Sequence, residues 1–114
     1  MSARWPGRLP QSIAAALLCC AAVAAATPQG GAIYTVTIEN MAYSPARLTV
    51  HRGDRIQWMN KDLFPHTASA SGGGFDSGAI AATGSWTYVA DKSGDYQYGC
   101  RFHPTMHGEL KVAP

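Results

Sequence analysis

Short segments in which apolar and polar residues alternate follow one another from residue 33 to the C-terminus. Alternation with a period of two is typical of a β-strand that buries one face. The segments with this pattern are residues 33–38, 47–51, 55–60, 85–89, 96–98 and 108–112. Turns rich in glycine, proline and aspartate separate them, and no stretch of this region has the periodicity of an amphipathic helix. The pattern predicts an all-β fold, a β-sandwich of about seven strands.

Residues 60–83 interrupt this regularity. Residues 71–74 have the composition of a flexible loop, and residues 75–78 have that of a tight turn anchored by Phe75. We therefore expect a long irregular connection between the strand at 55–60 and the strand at 85–89.

The first 26 residues have the pattern of a secretory signal peptide. Arg4 and Arg8 precede an apolar run over residues 13–26, and Ala24 and Ala26 supply the small residues that signal peptidase requires. The run is shorter than the roughly 20 residues of a membrane-spanning helix, so a retained anchor is the less favoured alternative. We expect a signal peptide at residues 1–26, a single domain at residues 27–114 without a membrane span, and a periplasmic location.

Three cysteines are present, and two of them, Cys19 and Cys20, lie in the expected signal peptide. A lipid attachment signal would need small residues where Leu17 and Leu18 stand, so we expect both cysteines to be removed with the leader. The mature chain then keeps only Cys100, which has no cysteine to pair with. A lone thiol in an oxidising compartment indicates a specific role, and metal ligation is one such role.

Charge is balanced in the expected mature chain. Two of the nine basic residues, Arg4 and Arg8, lie in the leader, so seven basic and seven acidic side chains remain. This balance favours neither nucleic acid nor an anionic membrane surface as a partner. We expect a monomer.

A compact group of metal-binding residue types lies near the C-terminus. Cys100, His103 and Met106 bring a thiol, an imidazole and a thioether, each separated from the next by two residues. Soft sulfur donors beside an imidazole favour copper over calcium, magnesium or manganese. One further imidazole would complete the two-histidine, one-cysteine set with a weak axial methionine that is typical of blue-copper electron-transfer sites.

Four histidines are candidates for the imidazole ligands. His66 is favoured as the second one, because Pro65 restrains the backbone before it and Phe64 gives it an apolar flank. His51 falls on the polar face of its predicted strand, so we interpret it as solvated. His107 directly follows the methionine of the loop, and we interpret it as an exposed imidazole near the site without a metal role.

Asn60 is a candidate for a supporting role beside the ligands. It ends a predicted strand shortly before His66. A site of this kind needs a hydrogen bond to the thiolate sulfur or one that joins the two ligand loops. We expect the Asn60 side chain to supply one of them.

These features, in the order in which they follow one another along the chain, resemble those of the cupredoxin family of small type 1 copper proteins, of the plastocyanin and amicyanin kind. The matching segments are residues 41–45, 48–50, 53–54, 58–60, 65–67, 75–78, 96–98 and 100–108. The resemblance implies an eight-stranded Greek-key sandwich with one copper ion held by His66, Cys100, His103 and Met106. The spacing of two residues on each side of His103 resembles amicyanin more than plastocyanin.

The resemblance also implies an apolar patch around an exposed edge of His103, through which the electron passes. Phe102, Pro104 and Met41 are candidates for this patch. The implied function is reversible one-electron transfer between redox proteins such as a dehydrogenase, a c-type cytochrome or an oxidase, with no substrate transformed.

Other classes of function remain open. A protein for copper delivery or storage would use the same ligands but would exchange the metal readily. An enzyme of the multicopper oxidase or nitrite reductase type needs further histidine pairs, and the sequence contains no His-x-His. A structural zinc site is disfavoured because zinc seldom takes a thioether ligand. We therefore expect an electron carrier and not an enzyme.

Overall fold

Two four-stranded sheets form the fold of the computed structural model, which describes residues 2–4, 7 and 31–114. The first sheet, in the order β2-β1-β4-β6, contains β1 (Ile33–Glu39), β2 (Ala42–Ser44), β4 (Arg55–Asn60) and β6 (Ser85–Val89). The second, in the order β3-β8-β7-β5, contains β3 (Arg47–His51), β5 (Ser69–Ala70), β7 (Gly94–Gly99) and β8 (His107–Ala113). The predicted all-β sandwich is confirmed.

The expected signal peptide, residues 1–26, lies outside the described residues except at positions 2–4 and 7. Within the part of the chain that is described, no helix has the length and apolar character needed to cross a membrane.

Strand register brings the two predicted ligand segments to the same end of the sandwich. β1 and β4 are parallel and end together, with Ile38 opposite Asn60. β7 and β8 are antiparallel and meet at Gly99 and His107. The connection after β4 and the loop between β7 and β8 therefore leave the sheets on one side.

Inward-facing residues of the strands fill the space between the sheets. Ile56 and Trp58 alternate with more exposed neighbours along β4, and Val50 is buried on β3. The ring of Trp58 lies 5.5 Å, centroid to centroid, from both Phe75 and Tyr98. Phe75 is buried as the turn prediction requires, and it fixes the irregular connection to the core.

Two short strands were not predicted. β2 has three residues and β5 has two, too few to show a period in the sequence. β5 lies in the segment expected to be irregular, and it pairs with the end of β7 at Gly99. This pairing ties the connection after β4 to the strand that leads into Cys100.

Candidate metal centre

Three predicted ligands converge at the end of the sandwich where β4 and β7 end. The Sγ atom of Cys100 lies 3.7 Å from Nδ1 of His66 and 3.6 Å from Nδ1 of His103, and the two Nδ1 atoms are 3.2 Å apart. These three side chains form a group that could hold a metal ion, with the donor atoms within 4.8 Å of one another.

The spacing of the donors fits one ion of the first transition row. Bonds of about 2.0 Å to nitrogen and 2.3 Å to sulfur, the lengths found for zinc, separate the nitrogens by about 3.5 Å and nitrogen from sulfur by about 3.7 Å in a trigonal plane. The thiolate and imidazole donors match the softness that copper prefers. The residues present therefore fit a copper ion.

The loop that carries Cys100 and His103 is a tight reversal between β7 and β8. Its closing turn is held by the N–H of Met106, which donates to the carbonyl of His103 at 3.0 Å. A Cβ atom at Gly99 would lie only 2.8 Å from the carbonyl oxygen of Met106, so this position requires glycine.

Met106 is buried at the end of this loop, with 2% of its surface exposed. Burial suits a thioether that turns toward the interior and not toward solvent. Its role as a weak axial ligand stays a prediction.

His66 is fully buried and its backbone is fixed. It pairs with Ile80, because the N–H of His66 donates to the carbonyl of Ile80 at 3.1 Å and the N–H of Ile80 donates back at 2.7 Å. The ring of Phe64 lies 5.1 Å from the ring of His66 and 5.5 Å from that of His103. The aromatic ring therefore packs against both imidazoles at the outer side of the site.

Asp62 holds the other ring nitrogen of His66. Its Oδ2 atom lies 2.7 Å from Nε2 of His66, and it also accepts the N–H of Met41 at 3.1 Å while Oδ1 accepts that of Asn40 at 2.8 Å. Burial works to raise the pKa of Asp62, but the hydrogen bonds from Met41, His66 and Asn40 outweigh it and lower the pKa. An ionised Asp62 accepts the proton on Nε2, which leaves Nδ1 of His66 free to bind a metal.

The hydrogen bond to the sulfur comes from Thr67. Its backbone N–H donates to Sγ of Cys100 at 3.4 Å. Asn60, expected for such a role, instead donates through Nδ2 to the carbonyls of Phe64 and Ile80, at 2.9 and 3.1 Å. Asn60 thus braces the segment before His66, and the sequence reasoning missed both Thr67 and Asp62.

Exposed apolar side chains lie near the half-buried His103, with the ring of Phe64 5.5 Å from the His103 ring. Leu63 is 86% exposed, and Phe64 and Phe102 are 43% and 52% exposed. Pro104 is exposed as well, whereas Met41 is half-buried. Phe102 and Pro104 are thus exposed next to His103 in the chain, and Phe64, which the sequence reasoning had not assigned to the patch, lies against the His103 ring. The apolar patch as a whole stays a prediction.

The remaining histidines lie outside the three-residue group. His107 is exposed at the start of β8. His51 is exposed and pairs with Ala113, at the end of β8 far from the ligand loop. His51 is solvent-exposed as predicted.

Comparison with known proteins places these features in a family. Residues 11–112 match the family model described as a cupredoxin-like domain. Amicyanin from Paracoccus denitrificans is 31% identical over 94 residues, which cover 78% of this chain and 71% of that protein. A solved structure of an amicyanin variant in its oxidised state is 26% identical with a TM-score of 0.66, covering 70% of this chain and 81% of that one.

A copper-containing nitrite reductase from Thermus scotoductus has a similar fold. The TM-score is 0.67 at 22% identity, and the match covers 71% of this chain but 22% of the reductase. This likeness concerns the fold alone.

Proposed function

The chain belongs to the cupredoxin-like family, and we propose that it carries single electrons between redox proteins through one type 1 copper ion. The observation that carries this proposal is the convergence, within 4.8 Å, of one thiol sulfur and two imidazole Nδ1 atoms that come from two different loops. We assign His66, Cys100 and His103 as the strong ligands and Met106 as the weak axial one.

Copper bound there would supply a reversible one-electron couple. Cys100 would give up its proton on binding such an ion, because the thiolate is the ligand. Asp62 keeps the proton of His66 on Nε2, and the N–H of Thr67 is directed at the sulfur. The pairing of His66 with Ile80 fixes the first ligand loop, so the donor positions need little adjustment when the charge on the site changes.

The exposed patch around His103 is the proposed contact surface for redox partners. Phe64, whose ring lies against His103, and Phe102, which precedes His103 in the chain, both have exposed apolar side chains. Exposed apolar groups of this kind mark sites of protein association. The partner classes remain those expected from the sequence: a dehydrogenase, a c-type cytochrome or an oxidase.

Copper delivery or storage remains the alternative function. It requires ready exchange of the ion, and the burial of His66 and Cys100 at 0% and 5% exposure disfavours exchange. A periplasmic location reached through a signal peptide at residues 1–26 is also part of the proposal, and the leader pattern supports it.

The test is a visible absorption spectrum of the protein with added Cu(II), followed by ascorbate and reoxidation. We expect an intense blue colour that bleaches on reduction and returns on oxidation. Cys100→Ser should remove the colour, whereas His107→Ala, which changes an exposed neighbour of the loop, should keep it. A colourless wild-type protein would refute thiolate-bound copper and the carrier function with it.

A further inference from the structure

A row of three aromatic rings crosses the core, from one edge of the sandwich to the strand that leads into Cys100. Trp86 lies on β6, the edge strand of the first sheet, directly opposite Trp58 of β4. Their ring centroids are 5.6 Å apart, and the ring of Trp58 is 5.5 Å from that of Tyr98. Tyr98, on β7, stands two residues before Cys100. The aromatic row Trp86–Trp58–Tyr98 therefore joins an edge of the fold to a proposed ligand.

The outer end of the row is accessible to solutes, and its middle is not. Trp86 is half-buried, and it stacks on the half-buried Tyr88 with an angle of 16° between the two rings. Trp58 is fully buried. A solute that reaches the row from the side of β6 therefore meets Trp86 first.

The indole of Trp58 has no group that could take its proton. Its Nε1–H lacks a hydrogen-bond partner among the residues that the structure describes. The rings packed around it belong to Phe75, Trp86 and Tyr98, and none of these side chains is a base at neutral pH. An indole that loses an electron in this position keeps its proton, so it can regain the electron without any proton transfer.

Burial sets the order in which the two indoles give up an electron. A positive charge costs more in the apolar interior than at a half-buried position, so Trp86 is easier to oxidise than Trp58. An electron vacancy on Trp86 therefore stays there unless a better electron donor lies beyond Trp58. A reduced copper ion bound to Cys100 would be such a donor, because it loses an electron far more readily than an indole does.

We propose that Trp86 and Trp58 form an electron relay between the metal centre and the edge at β6, through which the centre reduces strong one-electron oxidants that reach Trp86. The inference rests on the proposed function. The acceptor is a small radical oxidant, which takes one electron from Trp86. Trp58 then returns an electron to Trp86, and the reduced centre returns one to Trp58. The net change moves one electron from the centre to the oxidant, and no bond forms or breaks.

The relay differs in its acceptors from the contact surface proposed at His103. A redox protein that exchanges electrons reversibly with a copper centre is too weak an oxidant to remove an electron from an indole, so the relay takes no part in that exchange. It acts on oxidants that would otherwise leave a lasting modification on the aromatic side chains of the core.

A light-activated oxidant fixed beside Trp86 tests the relay. Thr87→Cys, on the exposed side of β6, carries a ruthenium polypyridyl label, which a light flash and a cobalt(III) quencher convert into a strong one-electron oxidant. Thr49→Cys carries the same label on the exposed side of β3, in the other sheet. Cys100 is buried, so the label attaches to the introduced cysteine.

Three substitutions in the labelled protein separate the indoles from their surroundings. Trp58→Phe and Trp86→Phe each keep an aromatic ring and remove an indole, and the expected mature chain contains no other tryptophan. Tyr88→Phe removes only the hydroxyl of the residue stacked on Trp86, so it controls for a change at this edge. Trp86→Phe, at the half-buried end of the row, serves if Trp58→Phe does not fold.

Two signals read out the relay, one of them without metal. In the metal-free protein labelled at Thr87→Cys, a flash should produce the absorption of an indole radical cation. Trp86→Phe should lose this signal, Tyr88→Phe should keep it, and the label at Thr49→Cys should not produce it. In the reduced copper-loaded protein, the signal should give way rapidly to the blue absorption of the oxidised centre. Trp58→Phe and Trp86→Phe should both lose this rapid return of the blue colour.

The outcomes separate the two proposals. A blue protein in which Trp58→Phe and Trp86→Phe regain the colour as fast as the labelled parent would overturn the relay alone. An equally strong indole signal in metal-free Trp86→Phe and its parent would also overturn it, because Trp86 would then not be the entry point. A parent protein that stays colourless with Cu(II) would refute the proposed function, and with it the centre that the relay serves.

Discussion

Replacing Asp62 tests how strongly the site depends on the carboxylate behind His66. Asp62→Ala removes the acceptor for Nε2 of His66, which lies 2.7 Å away, and for the backbone N–H groups of Asn40 and Met41. Asn40 and Met41 have φ angles of 53° and 62°, in the left-handed region that non-glycine residues seldom adopt. Asp62 thus stabilises both a proposed ligand and an unfavourable turn.

The expected loss follows mainly from the burial of His66. Its ring is fully buried, so an unpartnered Nε2–H costs about 1–3 kcal/mol. Asn40 is exposed and its N–H can bind water instead, so it adds little. We expect Asp62→Ala to lower the free energy of unfolding by about 2 kcal/mol, which corresponds to a fall in Tm of roughly 10 °C for a domain of this size. Loss of the partner should also weaken copper binding by about 10–100-fold.

Thermal unfolding of the metal-free protein and a competition titration with Cu(II) measure these effects. Asp62→Asn should lose less stability and less copper affinity, because its one side-chain oxygen can still accept from Nε2 of His66. Its amide group would then face the N–H of Asn40, which is exposed and can bind water instead. Asp95→Asn removes the same charge from an exposed position on β7 and should leave both quantities unchanged. Wild-type stability and affinity in Asp62→Ala would refute the assigned role.

Two further substitutions probe the core next to the site. Burial raises the pKa of Tyr98 to about 12, whereas an unfolded phenol ionises near 10. The stability that the protonated form contributes is therefore complete below pH 10 and is lost as pH rises toward 12. The loss at pH 11 is about 1 kcal/mol. Urea unfolding at pH 8 and 11 should show a smaller alkaline loss in Tyr98→Phe than in Tyr34→Phe, and equal losses would contradict the assignment. A Cβ atom at Gly108 would lie 2.2 Å from Cζ of Tyr98, so Gly108→Ala should lower the unfolding free energy by about 1–3 kcal/mol. At Gly72 a Cβ atom would have nothing within 4 Å, so Gly72→Ala should leave the unfolding free energy unchanged. Similar melting temperatures for Gly108→Ala and Gly72→Ala would exclude the clash.

The strands were predictable where alternation ran for five or six residues. The bounds expected for β3, β4 and β6 agree with those found. β2 and β5 could not be recognised, because a strand of two or three residues is defined by its partner and not by its own pattern. The pairing of β5 with Gly99 depends on a register that only the folded chain sets.

The candidate site was predictable as far as its chemistry is local. Cys100, His103 and Met106 lie within seven residues, so their spacing is visible in the sequence. Asp62 and Thr67 act through hydrogen bonds whose direction depends on the conformation of the segment around His66. An aspartate four residues before a histidine, in a segment without helical pattern, is the one signal that could have pointed to Asp62.

The position of the ligands in the two sheets makes the metal centre depend on long-range contacts. The loop with Cys100 and His103 joins β7 to β8 in the second sheet, whereas His66 follows β4 of the first sheet. The thiol and the two imidazoles are therefore brought together by the packing of the two sheets and not by one hairpin. Contacts between distant segments form slowly during folding, so we expect the donor set to be complete only once the sandwich has folded.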